Sequence, residues 1–447
     1  MIARICLPLL LVPFVAIPSL SQVEPSATGG DTPTLNSPQM LTPPPVSGLQ
    51  YPTTSGEETR SNYLDMGISM NAAYTDNILP NVFATPVSDE TYSIVPSIDL
   101  NRTTTKQTAI LSYSPTILFY GHTSSLDAVN HNASLIFQDR PSPHTAISLQ
   151  DFYVRTSNVF SGQYPFSQGG LTGSTVAPVP AVIAPYAEQQ TDTASGALTY
   201  QFAADGMVGG GGSYTNLDFP NPSQATGLYG SSGESGSAFY SRRLSAAQYI
   251  GVSYDYSRTV TNPPNGTVDV QMHTPLPFYT IYFNTKSSLS FSGGAQYISI
   301  SQGQLASSNT WSPAGAVSMG WQGNRGAVAI SYLHVATSGG GLLGAVHSDS
   351  VNASGNLAIN RTWSASLGAS YATISAVTQL VGLSYSGGNS FTANASLQHA
   401  FGEHFTVQGG YDRLAQTDIG IAVISATPNS DREFVAIAYV FRKPLGL

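Results

Sequence analysis

From Tyr63 onward, apolar and polar residues alternate with a period of two, the spacing of a strand with one apolar and one wet face. Leu64, Met66, Ile68, Met70, Ala72 and Tyr74 alternate with Asp65, Gly67, Ser69, Asn71, Ala73 and Thr75. The pattern returns at Tyr92, Ile94, Ile98 and Leu100, at Trp363, Ala365, Leu367, Ala369 and Tyr371, and at Phe391, Ala393, Ala395 and Leu397. Short connections at 102–106, 140–143, 203–206, 241–245, 284–287, 323–326, 360–362 and 402–404 alternate with long ones. Eight short turns between nine up-down pairs predict about 18 strands, within a range of 16–20, with both ends of the array on the short-turn side. Residues 374–390 read either as a loop or as another hairpin. The strand over 145–154 loses its alternation near Asp151, as a bulge would cause. Pro96 and Pro115 fall inside strands, where each removes a ladder donor.

This pattern predicts an all-β fold, a transmembrane antiparallel up-and-down β-barrel. A soluble sandwich or β-helix is the competitor, because period two alone does not require a membrane. Against it, aromatic residues gather at strand ends (Tyr200, Phe202, Trp321, Trp363, Phe401, Phe405, Tyr439, Phe441), where a bilayer interface takes amphipathic rings. The last strand, Phe434 to Phe441, looks like the C-terminal aromatic strand read by barrel insertion machinery, although RKPLGL follows it.

Composition supports the same reading. Charged residues make up 9% of the chain, against about 25% in an ordinary globular domain. Apolar residues make up 41%, yet no uncharged apolar run long enough for a membrane helix follows the N-terminal segment. The net charge of -9 argues against a nucleic-acid partner. Residues 1–21 read as a signal peptide, with Arg4, an apolar stretch over 5–17 too short to span a bilayer, Pro18, and small residues Ser19 and Ser21 before a cut near Gln22. Cys6, the single cysteine, lies within it. Residues 22–60 are rich in Pro, Ser, Thr and Gly and read as a disordered periplasmic tether, leaving 61–447 for the barrel.

No nucleophile elbow, P-loop, zinc-protease or calcium-repeat motif occurs, so neither enzyme activity nor a cofactor is expected. The eight histidines are scattered, without a pair at metal-ligand spacing. A barrel phospholipase is the enzymatic alternative; His131 and His399, both on outward faces, fall near opposite rims. Half of the sixteen basic residues sit in or beside short turns, where they keep a rim wet or meet an acidic periplasmic partner.

Inward positions are dominated by Ser, Thr, Gly, Asn and Gln, with carboxylates at Asp65, Asp99 and Asp412 as candidate pore residues. A barrel of 16–18 strands leaves an aqueous interior, and this lining suits hydrated solutes or sugars; a hydrophilic wall around a blocked lumen fits equally. The long connection over 156–189 is the expected inward constriction, with Tyr164, Phe166 and Tyr186 as pore-lining aromatics.

The segments AAYTDNILPN (Ala72 to Asn81), SDETYSIVPSIDL (Ser88 to Leu100) and QTAILSYSPTILFY (Gln107 to Tyr120) resemble the start of a family of porin-like outer-membrane barrels. That family accompanies bacterial exopolysaccharide synthesis and exosortase-type sorting. The resemblance makes Pro96 a family feature and implies an outer-membrane channel for polysaccharide or other hydrophilic solutes. Its partners would be outer-membrane lipids and the insertion machinery. It assigns no chemical role to Asp76 or Asn77. A partner-binding barrel without an open pore is the second reading, and a lipid-modifying enzyme the third.

Overall fold

The computed structural model describes residues 63–445, apart from 79–85, 158–187, 222–227, 265, 285, 304–306, 324, 339–340, 378–386 and 420–428. The expected signal peptide and tether therefore lie outside the described residues.

The strands run β1 (Tyr63–Thr75), β2 (Asp89–Thr103), β3 (Gln107–Tyr113), β4 (Thr116–Tyr120), β5 (Ala128–Ser142), β6 (Thr145–Thr156) and β7 (Gln189–Ala203). They continue with β8 (Gly206–Asp218), β9 (Ser231–Ser245), β10 (Gln248–Thr261), β11 (Val268–Asn284), β12 (Ser287–Gln302) and β13 (Ser308–Gln322). The rest are β14 (Gly326–Ser338), β15 (Ala345–Ala358), β16 (Trp363–Ala376), β17 (Gly387–Phe401), β18 (Phe405–Ile419) and β19 (Ser430–Pro444). Each pairs antiparallel with its neighbours, and β1 pairs with β19 along its whole length, from Tyr63↔Pro444 to Thr75↔Arg432, so the sheet closes. Closure leaves no sheet edge facing lipid. Among the described residues no helix is long and apolar enough to cross a membrane.

The nineteen segments make eighteen staves, because β3 and β4 are two pieces of one: both pair with β2 and both with β5. The register on either side, Ile98↔Tyr113 and Ile94↔Ile117, puts Pro96 opposite Pro115. The two prolines thus share one rung, and the ladder is interrupted where neither residue can donate.

Two sequence expectations change. β6 pairs without a break through Asp151, which faces Leu135 on β5 and Ala194 on β7, so there is no bulge; alternation fails there because an outward position carries a carboxylate. The turn expected at 241–245 lies beyond Ser245, since β9 continues through Arg242 and Arg243, paired with Ile250 and Tyr249. Of residues 374–390, the described ones belong mainly to the end of β16 and the start of β17, which pair directly with each other, and 378–386 lie outside the described residues.

The outer face carries exposed apolar side chains between two aromatic belts. Near the short turns lie Tyr200, Phe202, Trp321, Trp363, Phe401, Phe405 and Tyr439; toward the long loops lie Tyr92, Tyr113, Tyr214, Tyr254, Tyr332, Tyr371 and Tyr411. Several hydroxyls of the second belt meet polar partners: Tyr92 donates to Glu90, Tyr332 to Asp349 and Tyr411 to Asp431, while Tyr113 and Tyr254 pair with His131 and His273. On β16 the belts are the outward residues Trp363 and Tyr371, eight residues apart. At about 3.3 Å per residue and about 40° of tilt, that leaves a band of roughly 20 Å, close to that of a transmembrane barrel.

Candidate functional site: the lumen of the barrel

Charge on the inner face is concentrated on the staves around the closing seam. Asp65 stands opposite Asp99 on one side and Arg442 on the other, forming one rung across β2, β1 and β19 near the short-turn end. Arg442 Nε lies 3.6 Å from Asp65 Oδ2. Ten residues farther along β1, Thr75 is opposite Arg432 and Asp89. There Arg432 Nη1 donates to Asp412 Oδ2 at 3.0 Å, with both side chains buried. Asp89 is also buried, and it anchors the β4–β5 loop by accepting from the amides of His122 and Thr123. Asp65 and Asp99 are thus brought together, whereas Asp412 stands near the opposite mouth, bound to Arg432. Between the two rungs this wall presents Gly67, Ser69, Asn71 and Ala73 on β1 with Thr91, Ser93, Val95 and Ser97 on β2.

The wall formed by β11–β13 differs. Its inner face toward the long-loop mouth is apolar: Val268, Val270 and Met272 on β11 and Ile298 and Ile300 on β12 form one buried cluster with Ala336 and Ala345. Leu343 and Val377 pack against it. Ala336 and Ala345 belong to the β14–β15 hairpin, whose tip therefore bends inward and lies over its neighbours' inner surface. The bend begins where β13 and β14 part. Their pairing ends at Gly315↔His334, while β13 continues on β12 up to Ile300↔Ser308 and β14 continues on β15 up to Ser338↔Ala345. Pro313, without an N–H, lies two residues beyond the last shared rung.

Polar contacts fix the inturned tip. The Gln296 carboxamide donates to the Ala336 carbonyl at 2.9 Å and accepts from the Ala336 N–H at 2.8 Å. Ser312 Oγ and His347 Nδ1 are 3.2 Å apart. On the far side, the Tyr229 N–H of the β8–β9 loop donates to the Gly341 carbonyl at 2.8 Å. Gly341 has φ +102°, and a Cβ there would meet the Phe219 ring at 3.0 Å, so this position requires glycine. The hairpin thus bridges the lumen from β14–β15 to the loop over β8–β9. The sequence signal was present: apolar residues at inward positions of β11 and β12, beside Pro313, contradict a uniformly polar lumen.

The sequence assigned the constriction to the 156–189 connection; Tyr164, Phe166 and Tyr186 lie outside the described residues. Asp76 and Asn77, left without a role, clasp the closing seam. Asp76 Oδ1 accepts from the Asp431 N–H at 2.7 Å, Asp76 N–H donates to the Asp431 carbonyl, and Asn77 Nδ2 donates to the Asn429 carbonyl at 2.9 Å. His131 sits against Tyr113 in one aromatic belt and His399 between Trp363 and Phe401 in the other, so the geometry does not join them. Among the described residues no group of His, Cys, Asp or Glu is arranged to hold a metal ion.

No family model matches the sequence, and no curated protein matches it. Among solved structures, Pseudomonas aeruginosa OpdQ is similar over 85% of this chain and 97% of its own, at 10% identity and TM-score 0.40. OccK2 (OpdF) of the same organism, in complex with glucuronate, is similar over 85% and 98%, at 9% and 0.41. The FrpB iron transporter of Neisseria meningitidis is similar over 82% and 65%, at 11% and 0.44. Likenesses this distant carry no inference about solute or mechanism.

Proposed function

We propose that this protein is an outer-membrane channel for small hydrophilic solutes, with its short turns and both barrel ends in the periplasm and its long loops outside. The observation that carries this reading is the division of the lumen. An eighteen-stave barrel is wide enough to hold water, and the inturned hairpin lies on the apolar wall, away from the hydroxyl-rich, charged wall of β19, β1 and β2. Solutes would follow the polar wall. Its described charges favour cations: near the periplasmic mouth Asp65 and Asp99 share a rung with a single Arg442, which pairs with Asp65, and Asp412 is paired with Arg432. A hairpin across the outer mouth suits small solutes better than a threaded polymer, so polysaccharide passage, implied by the family resemblance, is the second reading and requires the hairpin to leave. The 156–189 connection, with Tyr164, Phe166 and Tyr186, is proposed as a further part of the constriction.

Planar-bilayer recording of the purified protein tests the reading. Discrete steps whose reversal potential in a KCl gradient favours potassium support it. A bilayer that stays silent with both the wild type and a variant lacking residues 337–344 rejects it in favour of a barrel without an open pore. Steps blocked by oligosaccharides but not by monosaccharides would favour the polymer.

A further inference from the structure

The backbone of Ala336 has two mutually exclusive partners, and we infer that the β14–β15 hairpin is a gate that switches between them. In the observed arrangement, both polar groups of Ala336 are taken by one side chain two staves away, Gln296. The alternative is set by the ladder already present. Continuing the register past Gly315↔His334 would bring Ala336 opposite Pro313 and Ser338 opposite Trp311. The hairpin would then lie in the wall, and the apolar cluster on β11 and β12 would be uncovered.

Chemistry at that rung biases the choice. The N–H and C=O of Ala336 are free of β15, since Gln296 holds them, so they are the groups that would meet β13. Two ordinary residues facing each other at such a rung exchange two hydrogen bonds. Pro313 can accept from the Ala336 N–H but cannot donate to the Ala336 carbonyl. Gln296 does both, and the inward state also buries Val268, Val270, Met272, Ile298 and Ile300. The closed state is therefore favoured by a proline that spoils the competing rung and a glutamine that replaces it. Among the described residues no buried charge holds the tip: its other polar contacts beyond the hairpin are Ser312 with His347, Tyr229 with Gly341 and Val377 with Ala345. Such a contact set can release without breaking an ion pair. This inference adds regulation to the proposed channel, and its first readout does not depend on conduction.

Ile298→Cys places a thiol in the covered cluster, with Val270→Cys as a second site should the first variant fold poorly. Both are made in a chain whose Cys6 is replaced by Ser, and labelling by a charged, water-soluble thiol reagent is followed in detergent and in vesicles. Slow labelling is expected, rising roughly tenfold with Gln296→Ala, which removes two hydrogen bonds from the closed state only. Pro313→Ala, which restores the missing donor, should raise it as well. A Met272→Cys, Ala345→Cys pair, once oxidised, should hold conductance low until reduced. Labelling unchanged by both Gln296→Ala and Pro313→Ala, or channel steps of equal size from the oxidised and the reduced pair, overturns the gate. Faster labelling in a protein that never conducts upholds the hairpin's release and rejects the channel instead.

Discussion

Asp65 and Asp99 stand directly opposite each other on neighbouring inner positions of β1 and β2, with Arg442 on the far side of Asp65. Arg442 pairs with Asp65, and the rung carries one carboxylate more than it has guanidinium groups. Replacing both by asparagine should move the reversal potential in a KCl gradient toward that of chloride. The shift should be larger at about 0.01 M than at about 1 M salt, where screening confines each charge to about 3 Å. An unchanged potential at low salt would place the ion path away from this rung.

The Arg432–Asp412 pair is buried. Removing one partner strands the other, so Arg432→Leu alone should cost about 3–5 kcal/mol, whereas Arg432→Leu with Asp412→Leu should recover most of that loss. Urea unfolding of the barrel in lipid vesicles measures both. A double variant as unstable as the single one would show that the pair contributes through something other than mutual neutralisation.

Asp89 lies on the long-loop side of Tyr92, outside the band between the aromatic belts. Burial alone would push its carboxyl up, but hydrogen bonds from the His122 ring and from the amides of Thr123, Glu90 and His122 outweigh it and hold it below its ordinary 3.8. A depressed carboxylate stabilises the folded state above its unfolded value, and this contribution is lost as pH falls through the folded value. The β4–β5 loop should therefore stay anchored at neutral and mildly acidic pH and loosen only in strong acid. Hydrogen exchange at the His122 and Thr123 amides reads this directly; loss of protection already near neutrality would mean that the carboxylate is not their anchor.

Asp76 ties the first loop to the last strand at the point of closure. Asp76→Ala removes one acceptor from the Asp431 N–H and should cost about 1 kcal/mol. The heated barrel should lose its compact electrophoretic mobility at a lower temperature than the wild type. An equal change from alanine at Glu433, the outward neighbour two residues along, would argue against a specific clasp.

Much of the architecture was legible from period and turn length. In a barrel wall each residue has one of two environments, so alternation carries the face assignment, and the eight short turns carry the strand number. Asp151 misled because a carboxylate at an outward position looks like a slip in register; pairing with Leu135 and Ala194 shows that the backbone is continuous. The lumen was less legible, because its contents depend on contacts between staves far apart in sequence. Gln296 and Ala336 are forty residues apart, and a glutamine at an inward position is ordinary until the strand edge it satisfies is known. Residue type alone also made Asp65, Asp99 and Asp412 equivalent. Only register separates the first two, which share a rung, from the third, which Arg432 neutralises.

In the proposed channel a water-filled path runs along the β19–β1–β2 wall past the docked hairpin. Single-channel recording of the purified full chain, compared with a variant lacking residues 337–344, tests it most directly. Such a path gives small cation-preferring steps from the wild type and larger ones from the variant. Absence of steps from both would contradict it.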